Sequence, residues 1–273
     1  MPTIKWSIRT QHTTYGQNVP AYLAQPDGAG PFPTMILLHE RYGLFQHTLD
    51  LAERFATEGY VCLAPELFSR VDPDLKEALL AGKTSYRSPD PVVRQDLDDG
   101  YAFLKELPCV DSARLGLMGV CMSGRYPITV GAYRDDLSAL VMFYGGANLR
   151  EWEVKDTQPE PMAELVPRIS APVLGVYGEK DPNHPIPHVL HLRDALAEAG
   201  KSYEMKIYRD MPHGWLNSRM PPRYRPEGAE AAWTQLMGFL QRAFHGGFPR
   251  DRVRWHFEGD ITADYDPSRY RIV

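Results

Sequence analysis

The stretch 114–125 constrains the fold more than any other part of this 273-residue chain. Residues 114–120 form a short apolar run that predicts a buried strand, and a helical pattern follows over 122–133. The Gly-Val-Cys-Met-Ser-Gly sequence between them predicts a nucleophile elbow, a tight turn that presents one side chain at its apex. Backbone meets backbone in such a turn, so small residues must flank the apex. Those residues are Gly119, Ser123 and Gly124. The apex residue is therefore Cys121.

Apolar strands alternate with amphipathic helices along most of the chain. The predicted strands are 4–10, 19–25, 34–39, 60–65, 114–120, 138–144, 172–178 and 203–209, with a turn at 15–18 between the first two. The predicted helices are 47–58, 91–107, 122–133, 187–199 and 226–244. The segment 66–92 is predicted to be an irregular crossover loop, and 147–168 is a polar excursion between strands. This alternation predicts an α/β fold with a mostly parallel, doubly wound sheet flanked by helices. Sites in such sheets lie at the carboxyl ends of the strands.

The pattern changes near residue 245. We predict one α/β domain over residues 1–245 and a C-terminal extension over 246–273. The extension has no helical face, and the sequence leaves three roles open for it. It could be an edge hairpin, an arm to the second subunit of a homodimer, or an ordered cover on the domain.

Charge and composition exclude several classes of function. The net charge of −5 and the lack of a basic run argue against nucleic-acid binding. No apolar run approaches the ~18 residues of a membrane span, and the first residues lack the pattern of a signal peptide. Three cysteines without metal-ligand spacing suit a reducing compartment. We therefore expect a cytoplasmic protein without a metal, a membrane partner or a nucleic-acid partner.

A catalytic triad can be assembled around Cys121. A cysteine attacks as its thiolate, and the start of a helix favours that negative charge. In α/β-hydrolases the nucleophile is followed along the chain by an acid and then by a histidine. Asp181 and His213 each follow a predicted strand in that order, so we predict Asp181 as the acid and His213 as the base.

The same logic predicts the groups around the reacting carbonyl. Two backbone amides must stabilise the oxyanion. Met122, directly after the nucleophile, should supply one, and Arg41, in the loop after strand 34–39, should supply the other. The neighbouring Glu40 could accept the thiol proton or hold Cys121 neutral until substrate arrives.

Other residues compete for these roles. Glu179 is a second candidate for the acid, while His184 and His188 compete with His213 for the base. Ser123 is excluded as the nucleophile. In an elbow centred on Ser123, the positions two before and two after it must be small, and they are occupied by Cys121 and Arg125. The remaining cysteines, Cys62 and Cys109, are predicted to be structural.

At these residues the chain resembles the dienelactone hydrolase family of α/β-hydrolases, from about residue 10 to 245. The matching pieces are the His-Glu-Arg-Tyr-Gly-Leu loop at 39–44, the elbow, Gly-Glu-Lys-Asp-Pro at 178–182, and His-Gly-Trp at 213–215. The resemblance implies a Cys-His-Asp triad that hydrolyses an ester or lactone through a thioester, without a cofactor. It also implies that Glu40 contacts the resting thiol and takes part in its activation.

Two positions depart from the family pattern. Ser123 stands where the family usually has glycine. Lactone-specific members hold the substrate carboxylate with arginines, one of them four residues after the histidine, where this chain has Asn217. We consider Arg87 and Arg219 as substrate ligands instead, and Trp215 as a wall of the pocket. Arg41, Arg94 and Arg125 are further anion-ligand candidates.

Three functions remain open from the sequence. The first is hydrolysis of a small ester or lactone. The second is acyl transfer or amide hydrolysis on the same triad, since the thioester is common to these reactions. The third is a hydrolase-like binding protein without catalysis, against which the three candidate residues at separate strand ends argue.

Overall fold

The computed structural model describes residues 5–266. Its strands are β1 (Ile8–Tyr15), β2 (Val19–Pro26), β3 (Phe32–Leu38), β4 (Val61–Pro65), β5 (Val110–Val120), β6 (Leu137–Phe143), β7 (Val173–Lys180), β8 (Tyr203–Pro212) and β9 (Trp255–Gly259). Its α-helices are α1 (Gln46–Thr57), α2 (Pro73–Leu80), α3 (Asp90–Lys105), α4 (Tyr126–Gly131), α5 (Met162–Leu165), α6 (Ile186–Glu198) and α7 (Pro226–Phe244).

The nine strands form one sheet in the order β1-β2-β4-β3-β5-β6-β7-β8-β9. β1 and β2 pair antiparallel, as do β2 and β4, and all the other neighbours are parallel. The predicted α/β fold with a mostly parallel sheet is confirmed. Because β3, β5, β7 and β8 run in the same direction, the loops that follow them meet at one edge of the sheet.

Helices cover both faces of the sheet. Apolar residues of α3, α4 and α6 form one buried cluster with one face, and those of α1 and α7 form the second cluster with the other face. The central strands are buried on both sides, which explains why their sequences are continuously apolar rather than alternating. The helices packed on both faces hold the central strands in place, and with them the strand ends that carry the candidate site.

Several local predictions differ from the structure. The first strand was predicted over 4–10 and runs instead from Ile8 to Tyr15, with Ile8 opposite Pro26; residue 4 lies outside the described residues. The segment predicted as an irregular crossover contains α2, which Asp72 caps by accepting a hydrogen bond from the Asp74 amide. The helix expected over 122–133 begins as a 3-10 helix, Cys121–Arg125, and continues as the short α4. The 147–168 excursion also contains short helical turns around α5.

The C-terminal extension adds a strand to the sheet. β9 pairs parallel with β8, from Tyr203 beside Trp255 to Ile207 beside Gly259. A parallel neighbour cannot be joined to β8 by a tight turn, so the edge-hairpin alternative is wrong for this part of the extension. The rest of the extension, residues 267–273, lies outside the described residues.

Within residues 5–266, no helix combines the length and the apolarity that a bilayer span requires.

Candidate active site

The turn after β5 has the geometry of a nucleophile elbow. Cys121 adopts a φ of 56°, in the left-handed region that costs an ordinary side chain energy. A Cβ on Gly119 would lie 2.3 Å from the Ser123 carbonyl oxygen, and one on Gly124 would lie 2.4 Å from the Cα of Gly145. Only glycine fits at either position, so the predicted turn is present and lifts Cys121 to its apex.

Ser123 contributes more than small size. Its hydroxyl accepts a hydrogen bond from the Val120 amide at 2.9 Å. It also lies 3.1 Å from the Leu38 carbonyl oxygen and 2.9 Å from that of Val120, either of which can take its single proton. Leu38 ends β3, directly before the loop that carries Glu40 and Arg41. The serine therefore joins the elbow to that loop, which glycine could not do.

Cys121, His213 and Asp181 lie in a hydrogen-bonded row. The Cys121 sulfur is 3.0 Å from Nε2 of His213, and Nδ1 of His213 donates to Oδ2 of Asp181 at 2.8 Å. The other oxygen of Asp181 accepts from the Asn183 amide at 2.8 Å. The ring tautomer follows from this network. The structure thus brings together the three residues that the chain order predicted.

The electrostatics of the row favour a cation on His213. Burial alone would lower the pKa of His213, but the Cys121 sulfur and the Asp181 carboxylate outweigh it and hold that pKa well above its usual value. Burial would likewise raise the pKa of Asp181, but His213 and His184 lower it instead. Asp181 is therefore ionised at neutral pH, and it stabilises the imidazolium that would form when His213 takes a proton.

A second histidine shares the same carboxylate. Nδ1 of His184 lies 3.4 Å from Oδ2 of Asp181, and the His184 ring stacks on that of His213 with centroids 5.8 Å apart. Burial, opposed by Asp181, lowers the pKa of His184, so its ring is neutral beside the cationic one. The sequence raised His184 only as a rival base, and its position beside His213 on the same oxygen of Asp181 was not foreseen. His188 lies in α6 with a buried, unpartnered Nδ1.

Glu40 is buried beside the triad but engages different partners from those expected. Tyr144 donates to one of its oxygens at 3.3 Å and Asn217 to the other at 2.6 Å. No hydrogen bond joins Glu40 to Cys121 within residues 5–266, so the implied contact with the resting thiol is absent from this structure. Burial raises the pKa of Glu40.

Asn217 also explains the departure from the family pattern noted above. The position four residues after the histidine does not face an anion here but holds the buried carboxyl of Glu40. Tyr144, which also has a left-handed backbone, was missed because nothing in the local sequence marks it.

His39 holds the loop after β3 through two hydrogen bonds to the backbone. Its Nδ1 donates to the Glu40 carbonyl oxygen at 2.6 Å, and its Nε2 accepts from the Leu67 amide at 3.0 Å. Arg41 in this loop and Met122 after the nucleophile both line the pocket in front of Cys121. Their backbone amides remain the candidates for the oxyanion site.

That pocket is a cavity of about 710 Å³, lined by Cys121, His213 and His184 among others. Its charged lining is mostly cationic. The cations are Arg41, Arg87, Arg150, Lys155 and Arg223, against one carboxyl group, that of Glu40. Several of these cations are already engaged: Arg87 and Arg150 pair with Glu151, Lys155 pairs with Glu153, and Arg41 donates to the Thr84 carbonyl oxygen.

The structure places two of the three predicted substrate contacts outside the pocket. Arg219 pairs with Asp50 of α1 at 2.7 Å and does not line the pocket. Trp215 is fully buried against Tyr144 and Tyr208, so it packs behind the site rather than walling it. Arg87 does line the pocket, although Glu151 holds its guanidinium at 2.8 Å. Arg223 was missed, because its loop has no regular pattern.

The other two arginine candidates also have structural partners. Arg125 is fully buried and donates to both oxygens of Asp90 and to the Glu151 carbonyl oxygen, which fixes the helix after the elbow. Arg94 pairs with Glu160 at 3.2 Å. Neither lines the pocket.

Within the described part of the chain, one group of side chains has spacing suited to a metal ion. Its members are Asp181, His184 and His213, whose ligand atoms lie within 4.8 Å of one another. The same atoms hydrogen-bond one another in the row described above. Metal binding there would compete directly with these hydrogen bonds.

The sheet order and the elbow are those of the α/β-hydrolase fold. Residues 19–244 match the dienelactone hydrolase family, and the chain belongs to that family. It is thus a hydrolase of the ester and lactone class.

Individual relatives agree with this assignment. A Methylorubrum extorquens protein, provisionally named a carboxymethylenebutenolidase, is 31% identical over 82% of this chain and 77% of its own. A Bradyrhizobium protein, provisionally named a 2-oxo-3-(5-oxofuran-2-ylidene)propanoate lactonase, is 29% identical over 91% of this chain and 94% of its own. A crystal structure of a provisionally named dienelactone hydrolase from Klebsiella pneumoniae superposes with a TM-score of 0.76 at 31% identity. It covers 86% of this chain and 99% of the other.

Proposed function

We propose that the protein hydrolyses small esters or lactones bearing an anionic group, through a thioester on Cys121. The observation that carries the proposal is the row Cys121–His213–Asp181, with contacts of 3.0 and 2.8 Å, at the floor of an open pocket. A hydrolase-like binding protein has no need of a sulfur, an imidazole and a carboxylate in a row.

The reaction divides into two halves. In the first, His213 takes the Cys121 proton and the thiolate attacks the carbonyl carbon, which places a negative charge on the carbonyl oxygen. The amides of Met122 and Arg41 stabilise that oxyanion. When the C–O bond breaks, His213 returns the proton to the leaving oxygen, which leaves the thioester.

In the second half, His213 takes a proton from water and the hydroxide attacks the thioester carbonyl. Collapse of the intermediate releases the carboxylic acid, and the proton on His213 returns to the Cys121 sulfur. Asp181 orients His213 throughout and stabilises its cation. Replacing the water by an alcohol or amine acceptor would give acyl transfer, the second function that the sequence left open.

The role of Glu40 in this scheme is to set the charge near the sulfur. The buried carboxyl, with its pKa raised by burial, can hold a proton when a thiolate forms nearby, so that two like charges do not face each other. Tyr144 and Asn217 keep it in place. This differs from direct contact with the thiol, and it makes Glu40 a modulator rather than a member of the row.

Arg223 supports the choice of an anionic substrate. It lines the pocket, and within residues 5–266 neither an ion pair nor a hydrogen bond engages its guanidinium. Its charge acts on Glu40, lowering that pKa against the effect of burial. A cation with no fixed counter-ion at the pocket is suited to receive a substrate carboxylate.

Turnover of two aryl esters tests the proposal. Wild type should release nitrophenol from its acetate ester, Cys121→Ala should not, and Cys109→Ala should match wild type because Cys109 lies far from the pocket in the loop before β5. Equal losses from Ser123→Ala and Cys121→Ala would contradict the assignment of the nucleophile.

The same assay tests the substrate class with Arg223→Gln. KM for an anionic ester, the succinate half-ester of nitrophenol, should rise about five-fold, the loss of ~1 kcal/mol expected for a solvent-accessible charge contact. KM for the acetate ester should not change. Arg219→Gln is the matched control, since Arg219 lies outside the pocket, and it should leave both values at wild type. Equal effects of Arg223→Gln on both esters would contradict an anion-binding role.

A further inference from the structure

The chain after Phe244 leaves the segment that matches the family but contacts the strands and the helix that flank the candidate site. We call residues 254–266 the C-terminal segment. It carries β9 on the outer edge of β8, and the Asp260 amide then donates to the Ile207 carbonyl oxygen at 3.0 Å. Because β9 is parallel to β8, its chain emerges at the same edge of the sheet as Asp181 and His213.

One buried carboxylate receives the C-terminal segment at that edge. Thr262 donates to Oε1 of Glu179 through both its amide and its hydroxyl, each at 2.5 Å. The other oxygen, Oε2, accepts from the Asp210 amide at 2.9 Å. Glu179 is only 1% exposed. Burial would raise its pKa, but the hydrogen bonds from Thr262 and Asp210 lower it, so the acceptor is an ionised carboxylate.

Glu179 lies near the end of β7, just before the acid loop, and it accepts a hydrogen bond from Asp210 near the end of β8, just before the base loop. Glu179 precedes Asp181 by two residues, and Asp210 precedes His213 by three. Asp210 adopts a φ of 59°, a left-handed conformation that an L-residue keeps only when its surroundings hold it. The ends of the two strands also touch directly, since a Cβ on Gly178 of β7 would lie 2.2 Å from the carbonyl oxygen of Met211 in β8.

A second contact reaches the residues just after the acid loop. The Ile186 amide, at the start of α6, donates to the Tyr265 hydroxyl at 3.1 Å. This amide lies two residues beyond His184, which shares Asp181 with His213. The C-terminal segment therefore contacts the chain both before Asp181, at Glu179, and after it, at Ile186.

We propose that the C-terminal segment is a positioning element for catalysis, which acts through Glu179 to hold the acid and base loops at their working separation. The proposal rests on the triad proposed above. Glu179 and Thr262 are positioning residues, since neither touches substrate or the reacting atoms. Their effect is exerted on the 2.8 Å contact between Asp181 and His213, where small displacements are costly for proton transfer.

Glu179→Gln and Thr262→Val test this in the full-length protein. Single-turnover acylation by nitrophenyl acetate should slow about ten-fold in Glu179→Gln, because misplacement of catalytic groups by up to 1 Å costs up to ~100-fold. KM should change less than about two-fold, since the pocket is untouched. Thr262→Val keeps the amide donor and loses only the hydroxyl, so it should show a smaller loss in the same direction.

A titration adds a readout that a purely structural role would not move. Asp181 helps to raise the pKa of His213, so the His213 imidazolium is less stable if the contact between the two residues loosens. The midpoint at which the His213 ring loses its proton, followed by NMR of its ring signals, should then move to lower pH in Glu179→Gln. Glu258→Gln is the matched control, because Glu258 lies in β9 and pairs with Lys206 away from the loops. It should match wild type in every measurement.

The outcomes separate this proposal from the one on which it rests. Wild-type acylation and titration in Glu179→Gln and Thr262→Val, with or without a lower melting temperature, would overturn the positioning role and leave the triad intact. Activity in Cys121→Ala would instead overturn the triad. If Glu179→Gln does not fold, Thr262→Val decides the question by the same two measurements.

Discussion

Replacement of Asp181 by asparagine should disable His213 through the wrong tautomer rather than through lost packing. Oδ1 of Asp181 accepts a hydrogen bond from the backbone amide of Asn183, which can only donate. Oδ2 faces Nδ1 of both His213 and His184. An asparagine has one carbonyl oxygen, and the Asn183 amide requires it. The amide nitrogen is then directed at the two rings, so Nδ1 of His213 must become an acceptor.

The magnitude follows from that geometry. With Nδ1 as an acceptor, the proton of the neutral ring lies on Nε2, 3.0 Å from the Cys121 sulfur. Nε2 must instead be unprotonated, with a free lone pair, if it is to accept the thiol proton. Loss of the carboxylate also lowers the pKa of His213, which Asp181 now helps to raise. The corresponding change in a serine triad lowers kcat ~10⁴-fold, and we expect the same order here, about 5 kcal/mol. Cys121→Ala, which removes the nucleophile, should cost more.

Initial rates of aryl ester hydrolysis at several pH values measure this effect. Asp194→Asn is the matched control, because Asp194 lies on the outer surface of α6, away from the pocket, and pairs with its neighbour Arg193. It should retain the wild-type rate. The reasoning is refuted if Asp181→Asn retains more than about a tenth of the wild-type kcat, or if its loss is matched by Asp194→Asn.

Two further predictions concern stability. The pKa of Glu40 is raised above its usual 4.5 in the fold, so the folded state holds a proton that the unfolded chain releases, and stability falls as pH rises from about 4.5 through the folded pKa. In thermal unfolding, the Glu40→Gln variant should not lose stability as the pH rises, and it should be more stable than wild type above the folded pKa of Glu40. An identical pH dependence of stability in the two proteins would contradict a raised pKa. Gly124→Ala should lower the free energy of unfolding by at least ~1–3 kcal/mol, because its Cβ would lie 2.4 Å from the Gly145 backbone. Gly238→Ala, on the outside of α7 with only the Arg242 side chain near its Cβ, is the control in denaturant titrations.

The parts of this fold that the sequence predicted are those dominated by local signals. The bounds of α7 were predicted to the residue, because a proline begins the helix and a long apolar face continues through it. The elbow was predicted because its glycines leave few alternatives. The helix α2 was missed because its amphipathic stretch is short, and Asp72 and Pro73 were interpreted as loop residues rather than as a cap and a first helical turn.

The candidate site shows the same division. Cys121, Asp181 and His213 each stand at a strand end with a distinctive local sequence, so the topology was enough to bring them together. The surrounding residues depend on tertiary contacts that the sequence does not reveal. Asn217 and Tyr144 meet Glu40 from positions far apart in the chain. Arg219 and Arg223 look equivalent in the sequence, and only the loop path decides which of them reaches the pocket.

The C-terminal extension was the least predictable element. Trp255–Gly259 is short, and three of its five residues are polar or glycine, as suits an exposed edge strand. The sequence therefore left several roles open. The contact of the extension with Glu179 depends on the parallel pairing of β9 with β8. No local sequence pattern specifies that pairing.

The most direct test of the account is the intact mass of the protein after brief exposure to nitrophenyl acetate. The account predicts one acetyl adduct on wild type, located on Cys121, retained by Cys109→Ala and absent from Cys121→Ala, with nitrophenol released in step with the adduct. Turnover by wild type without any adduct on Cys121, or an adduct that persists in Cys121→Ala, would contradict a thioester mechanism at this site.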